Sequence, residues 1–162
     1  MSFHATLNIL NTDIKNIRVL NVEYEFNQPV DHALRPKGKV QSGLIVIEIE
    51  SSQSSTLAQW MFSDSMQHSG QLVFDKAEGG SALRTLNFTD AFCIYYKEIF
   101  NASDQNPMRI VLKISARMIE LNNIKIENHW PERNGNGGGS SSSNASLISS
   151  SNEPIKSFNP LD

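Results

Sequence analysis

Residues 35–52 read RPKGKVQSGLIVIEIESS, a basic segment broken by Pro36 and Gly38 that runs straight into a strand. Ile45, Ile47 and Ile49 alternate with Val46, Glu48 and Glu50. One face is therefore apolar and the other ends in carboxylates, the period-2 pattern of a half-buried strand. The next segment, SSTLAQWMFSDSM (residues 54–66), switches to helical spacing, and alternation resumes beyond it. A sheet-dominated domain with one helix and one projecting loop suits a module that works by docking its edges and loops onto other copies.

Working outward from this stretch, residues 3–9 read as a first strand closed by a turn at Asn11, Thr12 and Asp13. Residues 17–26 read as a second, with Leu20, Val22, Tyr24 and Phe26 on one face and Asn21, Glu23 and Glu25 on the other. The third strand covers residues 43–50. Ser54, Ser55 or Thr56 is expected to cap the helix, since each offers a side-chain oxygen to the free amides of the first turn. Leu57, Trp60 and Met61 share the face that should pack on the sheet. Ser69-Gly70 is expected to end the helix, and a strand starting at Leu72 to turn near Glu78-Gly79-Gly80. Two long strands follow. From Leu86 the residues Phe88, Phe92, Ile94, Tyr96 and Phe100 form one face, with Ala91, Cys93, Tyr95 and Ile99 on the second. From Met108 the core set is Ile110, Leu112, Ile114, Ala116 and Met118, with Arg109, Val111, Lys113 and Arg117 facing away. A short last strand covers residues 124–128. The expected fold is mainly β, an antiparallel β-barrel of about eight strands with one α-helix and an extended loop, because closure removes exposed sheet edges.

The 162 residues suffice for one domain, and the apolar fraction of 39% suffices for a core. Residues 1–130 carry nearly all the periodic signal. Residues 131–162, PERNGNGGGSSSSNASLISSSNEPIKSFNPLD, are rich in Gly, Ser and Asn and read as a flexible tail that buries too little to offset its ordering entropy. A formal net charge of −3 gives no field that would draw in nucleic acid or a membrane. No run approaches the ~18 apolar residues that span a bilayer, and no signal peptide is visible at the start of the sequence. The four histidines lie in different elements without metal-ligand spacing, and the single Cys93 has neither a cysteine partner nor a nameable base. GNGGGSSSS lacks the Lys and the flanking strand and helix of a phosphate loop, so it reads as linker. No cofactor is expected, and no set of residues can be given catalytic roles.

The order of these pieces resembles a known family. The opening SFHATLNI, the YEFNQPVD turn with RPKGKVQSGLIVIEIESS, the helix LAQWMFSDSM and the NPMRIVLKISARMIELNN run with HW shortly after are similar to the tube proteins (Hcp, or TssD) of type VI secretion systems, in the variety found in Bacteroidota. Leu34 stands where that pattern has Gly, and Gly43 is single where it has a pair. The resemblance implies hexameric rings of β-barrel protomers, stacked into a hollow tube inside a contractile sheath. It implies sheath, spike and baseplate proteins and lumenal effectors as partners, with assembly in the cytoplasm and export by contraction.

On that reading Arg35, Pro36, Lys37, Gly38, Lys39 and Val40 form the loop that stacks one ring on the next. Glu48 and Glu50 are either solvated strand residues or acidic acceptors for a neighbour's loop. Arg109, Val111 and Lys113 form a candidate strand face between protomers. Two alternatives stay open: a tube paralogue whose tail carries cargo, and a monomeric barrel that binds a small ligand.

Overall fold

The structure is a computed structural model that describes residues 3–76 and 81–131. The expected turn at Glu78-Gly79-Gly80 and the expected tail beyond Pro131 lie outside the described residues. Seven strands and one helix appear in chain order: β1 (Phe3–Ile9), β2 (Ile17–Tyr24), β3 (Leu44–Glu50), α1 (Thr56–Phe62), β4 (His68–Lys76), β5 (Ala82–Phe100), β6 (Met108–Leu121) and β7 (Ile124–Glu127). The sheet order is β3-β2-β1-β4-β5-β6-β7, and pairing of β3 with β6 closes the first six strands into an antiparallel barrel. Strands β3 and β7 lie in tandem along one edge of β6, opposite residues 109–115 and 118–121 respectively. Asn128 bridges them, because its Nδ2 donates to the carbonyls of Ser42 and Ala116 at 2.8 and 3.1 Å.

Ile45, Ile47 and Ile49 of β3 are buried, as the alternation requires. They meet Ile110, Leu112 and Ile114 of β6 directly across the ladder. Leu7, Ile9, Leu72, Leu86 and Phe88 fill the other half of the interior. The helix seats Leu57 and Trp60 in this core, and the Trp60 indole Nε1–H donates to the Ala91 carbonyl at 3.1 Å. Ser55 occupies the N-cap without a side-chain cap bond, while Ser54 Oγ accepts from the Thr56 amide at 3.1 Å. The helix ends at Phe62, earlier than its pattern suggested, and β4 begins at His68 instead of Leu72. Gly70 is thus a strand residue. A Cβ there would collide with the Asn8 carbonyl oxygen and stand 2.6 Å from the Phe88 ring.

The inward parity of three strands departs from the sequence reading. On β2 a bulge between Val19 and Asn21 moves the inward set from Ile17 and Val19 to Val22 and Tyr24, leaving Leu20 out of the core. On β5 Leu86 and Phe88 point inward, but then Ala91 and Cys93 do, so Phe92 and Ile94 are not core residues. The switch falls at Asp90, whose φ of +50° turns the strand, and opposite it β6 switches from Ala116 to Ile119, displacing Met118. A second bulge between Cys93 and Tyr95 returns Tyr96 to the inner side. Each extra or turned residue shifts a period-2 pattern by one position, sending every following side chain to the opposite face. Arg117 fixes the corner, donating from Nε and Nη2 to Asp90 Oδ2 at 2.9 and 2.6 Å.

Candidate assembly interface

The projecting loop spans residues 27–41 and is tied at its root by the Asn27–Gln41 bridge and midway by Val30–Pro36. Its tip is a compact turn organised by Asp31. The Asp31 carboxylate accepts the Ala33 and Arg35 amides at 2.8 and 3.0 Å and pairs with the Arg35 guanidinium at 3.0 Å. The Arg35 amide above all, with Ala33, holds the Asp31 pKa below its ordinary value. Pro36 thereby keeps the chain close to Val30, the Lys37 amide donates to the Pro29 carbonyl at 2.7 Å, and Gln28 reaches the Gly38 carbonyl at 3.0 Å. Gly38 has φ +120°, a conformation that favours glycine. Arg35 through Val40 are all exposed. Among the described residues, Lys37 and Lys39 have no carboxylate partner, whereas Arg35 does.

Strands β2, β3, β6 and β5 make one antiparallel sheet over the stretch where β3 pairs on both sides. Its outward face carries Val46, Glu48 and Glu50 beside Lys113, Val111 and Arg109, with Tyr95, Lys97 and Ile99 next on β5. The structure therefore places the expected face residues Arg109, Val111 and Lys113 together with Glu48 and Glu50, all half-buried. Both carboxylates are engaged within the protomer. Glu50 pairs with Arg18 at 2.8 Å. Glu48 lies 3.0 Å from Arg109 Nε, close enough for charge attraction but with the N–H directed away from its oxygen. Lys113 Nζ stands 4.9 Å over the Tyr95 ring, a cation–π distance.

Two edges of this sheet carry no strand among the described residues. Strand β1 pairs with β2 only at Thr6–Arg18 and Leu7–Ile17, so the outer edge of residues 20–24 is open. Strand β4 pairs with β5 only as far as His68–Ala91, so the outer edge of residues 93–100 carries no strand among the described residues. Exposed apolar side chains gather at the second edge, with Ile94 50% and Phe100 72% exposed.

At the Glu50 end of the barrel, opposite the loop root, lies a cavity of about 610 Å³ lined by Ser51, Ser52, Gln53, Glu98, Gln105 and Asn106, among others. The Tyr96 hydroxyl donates to Glu98, and burial together with that carboxylate raises the Tyr96 pKa to about 12. Nothing in the alternation of this strand signals the contact between Tyr96 and Glu98. Among the described residues, no three His, Cys, Asp or Glu side chains gather to hold a metal ion. No helix among them is long and apolar enough to cross a membrane. Burial pushes the Cys93 thiol up to about 11, and burial lowers the pKa of His68, which lies edge-on to Trp60 at 5.1 Å.

The family model described as hemolysin coregulated protein Hcp (TssD) matches residues 1–131. Among solved structures, the chain is similar to Hcp1 from Flavobacterium johnsoniae at 33% identity and a TM-score of 0.70, covering 77% of this chain and 99% of that one. It is similar in fold to Hcp1 from Salmonella typhimurium at 18% identity and a TM-score of 0.60, covering 75% and 86%. The same holds for an Hcp1 double mutant from the E. coli EAEC 042 pathovar, at 12% identity and a TM-score of 0.60, covering 80% and 99%. Comparison with curated proteins returned no match.

Proposed function

The chain belongs to the Hcp (TssD) family, and from that premise we propose that it is the subunit of the inner tube of a type VI secretion system. Six copies close a ring, and rings stack into a hollow tube within a contractile sheath. Contraction then expels the tube with its spike and effectors. The sheath, spike and baseplate proteins and the lumenal effectors are thus its partners, and its site of action moves from the cytoplasm to the exterior. The protein works by docking and performs no catalysis.

The observation that carries this reading is the pair of open edges on one sheet. Each of the pairings β2–β3, β3–β6 and β6–β5 is antiparallel, so β2 and β5 run in opposite senses. Copies related by rotation about an axis along the strands keep their strand directions. The β5 edge of one copy therefore meets the β2 edge of the next in antiparallel sense, and the sheet continues around the ring. Main-chain hydrogen bonds across that seam, with Ile94 and Phe100 withdrawn from water, supply the interface. Closing the ring also removes edges that would otherwise invite aggregation.

The test is the double variant Ile94→Asp with Phe100→Asp, followed by native mass spectrometry. Both side chains are exposed in the protomer, so circular dichroism should stay that of the wild type while rings give way to monomers. Rings that persist unchanged would place the seam elsewhere.

Residues 131–162 form, on this reading, an extension that ring closure does not require. Deleting them should leave ring assembly intact. Lost effector export by that truncation would make the tail a carrier element, and failure to form rings would contradict the proposed boundary.

A further inference from the structure

We propose, on the premise of the tube reading, that Lys97 on the β5 edge pairs with Glu23 on the β2 edge of the adjacent copy, and that this pair selects unlike edges over like ones. An open edge does not by itself choose its partner. Two β5 edges, or two β2 edges, can also join in antiparallel sense about a twofold axis normal to the sheet. Either of those contacts is isologous and consumes the edge in a dimer. The contact of β5 with β2 is heterologous, so it leaves an edge of each kind free to continue the sheet. Rings therefore need a device that disfavours the like-edge pairs, and the charges on the two edges supply one.

Tyr96 on β5 and Val22 and Tyr24 on β2 pack inward, so Lys97 and Glu23, each one position away, stand on the outward face. Both are exposed. Glu23 Oε1 accepts from Asn21 Nδ2 at 3.3 Å, and neither Glu23 nor Lys97 has an oppositely charged partner among the described residues. The other charges of this face are engaged, Glu48 and Glu50 by Arg109 and Arg18, and Lys113 over the Tyr95 ring. Glu98, bonded to the Tyr96 hydroxyl, lies on the opposite face of β5 from Lys97. Lys97, Val111, Glu48 and Asn21 form one row across the four strands. A row carried straight across the seam brings Lys97 opposite Asn21 of the next copy with Glu23 diagonal to it, within reach of a lysine side chain. A stagger of about two residues, the smallest that keeps outward side chains outward, sets Lys97 and Glu23 directly opposite in one of its two senses. Joining β5 to β5 instead brings Lys97 near its own copy, because Lys97 lies at the middle of the uncovered residues 93–100. Joining β2 to β2 likewise brings Glu23 near Glu23. Like charges facing across a ladder are destabilising, and such repulsion is how an interface excludes the wrong partner.

Charge reversal tests this. Lys97→Glu and Glu23→Lys, each alone, should keep the circular dichroism of the wild type and lower the ring fraction about ten-fold or more by native mass spectrometry, since the repulsion recurs at every seam. The two changes combined in one chain should restore rings. Mixing the two single variants in equal amounts, one of them labelled with heavy nitrogen, should restore them as well. Those rings should hold both variants in equal number, because the altered β5 edge of one then meets the altered β2 edge of the other. A wild-type yield of rings from either single variant, no recovery in the double variant, or no mixed rings from the mixture would each overturn the pair while leaving the tube reading in place. Absence of rings in the unmodified protein would overturn both.

Discussion

Leu34 shows how a single residue can sit against its own preference. Its φ is +61° at the tip of the loop, where an L side chain pays roughly 1 kcal/mol or more and glycine pays none. The turn is held by Asp31, whose carboxylate and carbonyl together take the amides of Ala33, Arg35 and Leu34. Leu34 is 80% exposed, so nothing in the protomer rewards its side chain. Cys93 is the opposite case, a reactive residue type made inert by position. The residue is 6% exposed and the thiol pKa is raised to about 11 by burial. At pH 8 the thiolate is therefore scarce as well as shielded, and native protein should react with a thiol reagent far more slowly than denatured protein, by about a hundred-fold. Equal rates in the two states would contradict the burial.

At the scale of elements, strand identity was legible and facing was only partly so. The alternation of Ile45, Ile47 and Ile49 and that of Ile110, Leu112 and Ile114 identified the inward faces of β3 and β6, because both strands are regular there, although their direct pairing is seen only in the structure. Phe92 and Ile94 misled because Asp90 adopts a positive φ and a bulge follows Cys93. Asp90 interrupts the apolar set with a residue type disfavoured in strands and tolerant of positive φ, whereas the bulge after Cys93 leaves no mark. The same cause removed Leu20 from the core. The loop's basic character was readable at Arg35, Lys37 and Lys39, but its internal pairing of Arg35 with Asp31 was not, nor was the pairing of Glu50 with Arg18 across strands. The first depends on how the loop tip turns and the second on strand register, and no local alternation encodes either. Gly43 joins loop, β3 and β7 at one point. Its φ is +106°, and a Cβ would collide with the Asn128 side chain and stand 2.6 Å from the Ala116 carbonyl oxygen. Gly43→Ala should therefore cost about 2–4 kcal/mol in urea denaturation by breaking the Asn128 bridge and straining the backbone. A wild-type midpoint would show that this junction yields freely.

For the whole molecule, division of labour among surfaces is the central consequence of the fold. Six strands close around a core of aliphatic side chains with Trp60 and Phe88, yet among the described residues no strand covers the outer edges of residues 20–24 and 93–100. Those openings leave hydrogen-bonding edges on the two flanks of one sheet, while the loop and the cavity occupy the two poles. On the proposed reading the two flanks pair laterally between copies, while ring stacking uses the ends of the barrel. The measurement that tests this most directly is electron microscopy of the purified protein across a range of concentrations. Six-fold rings with an open centre, stacking into tubes as concentration rises, are the predicted result. Featureless monomers at every concentration would contradict it.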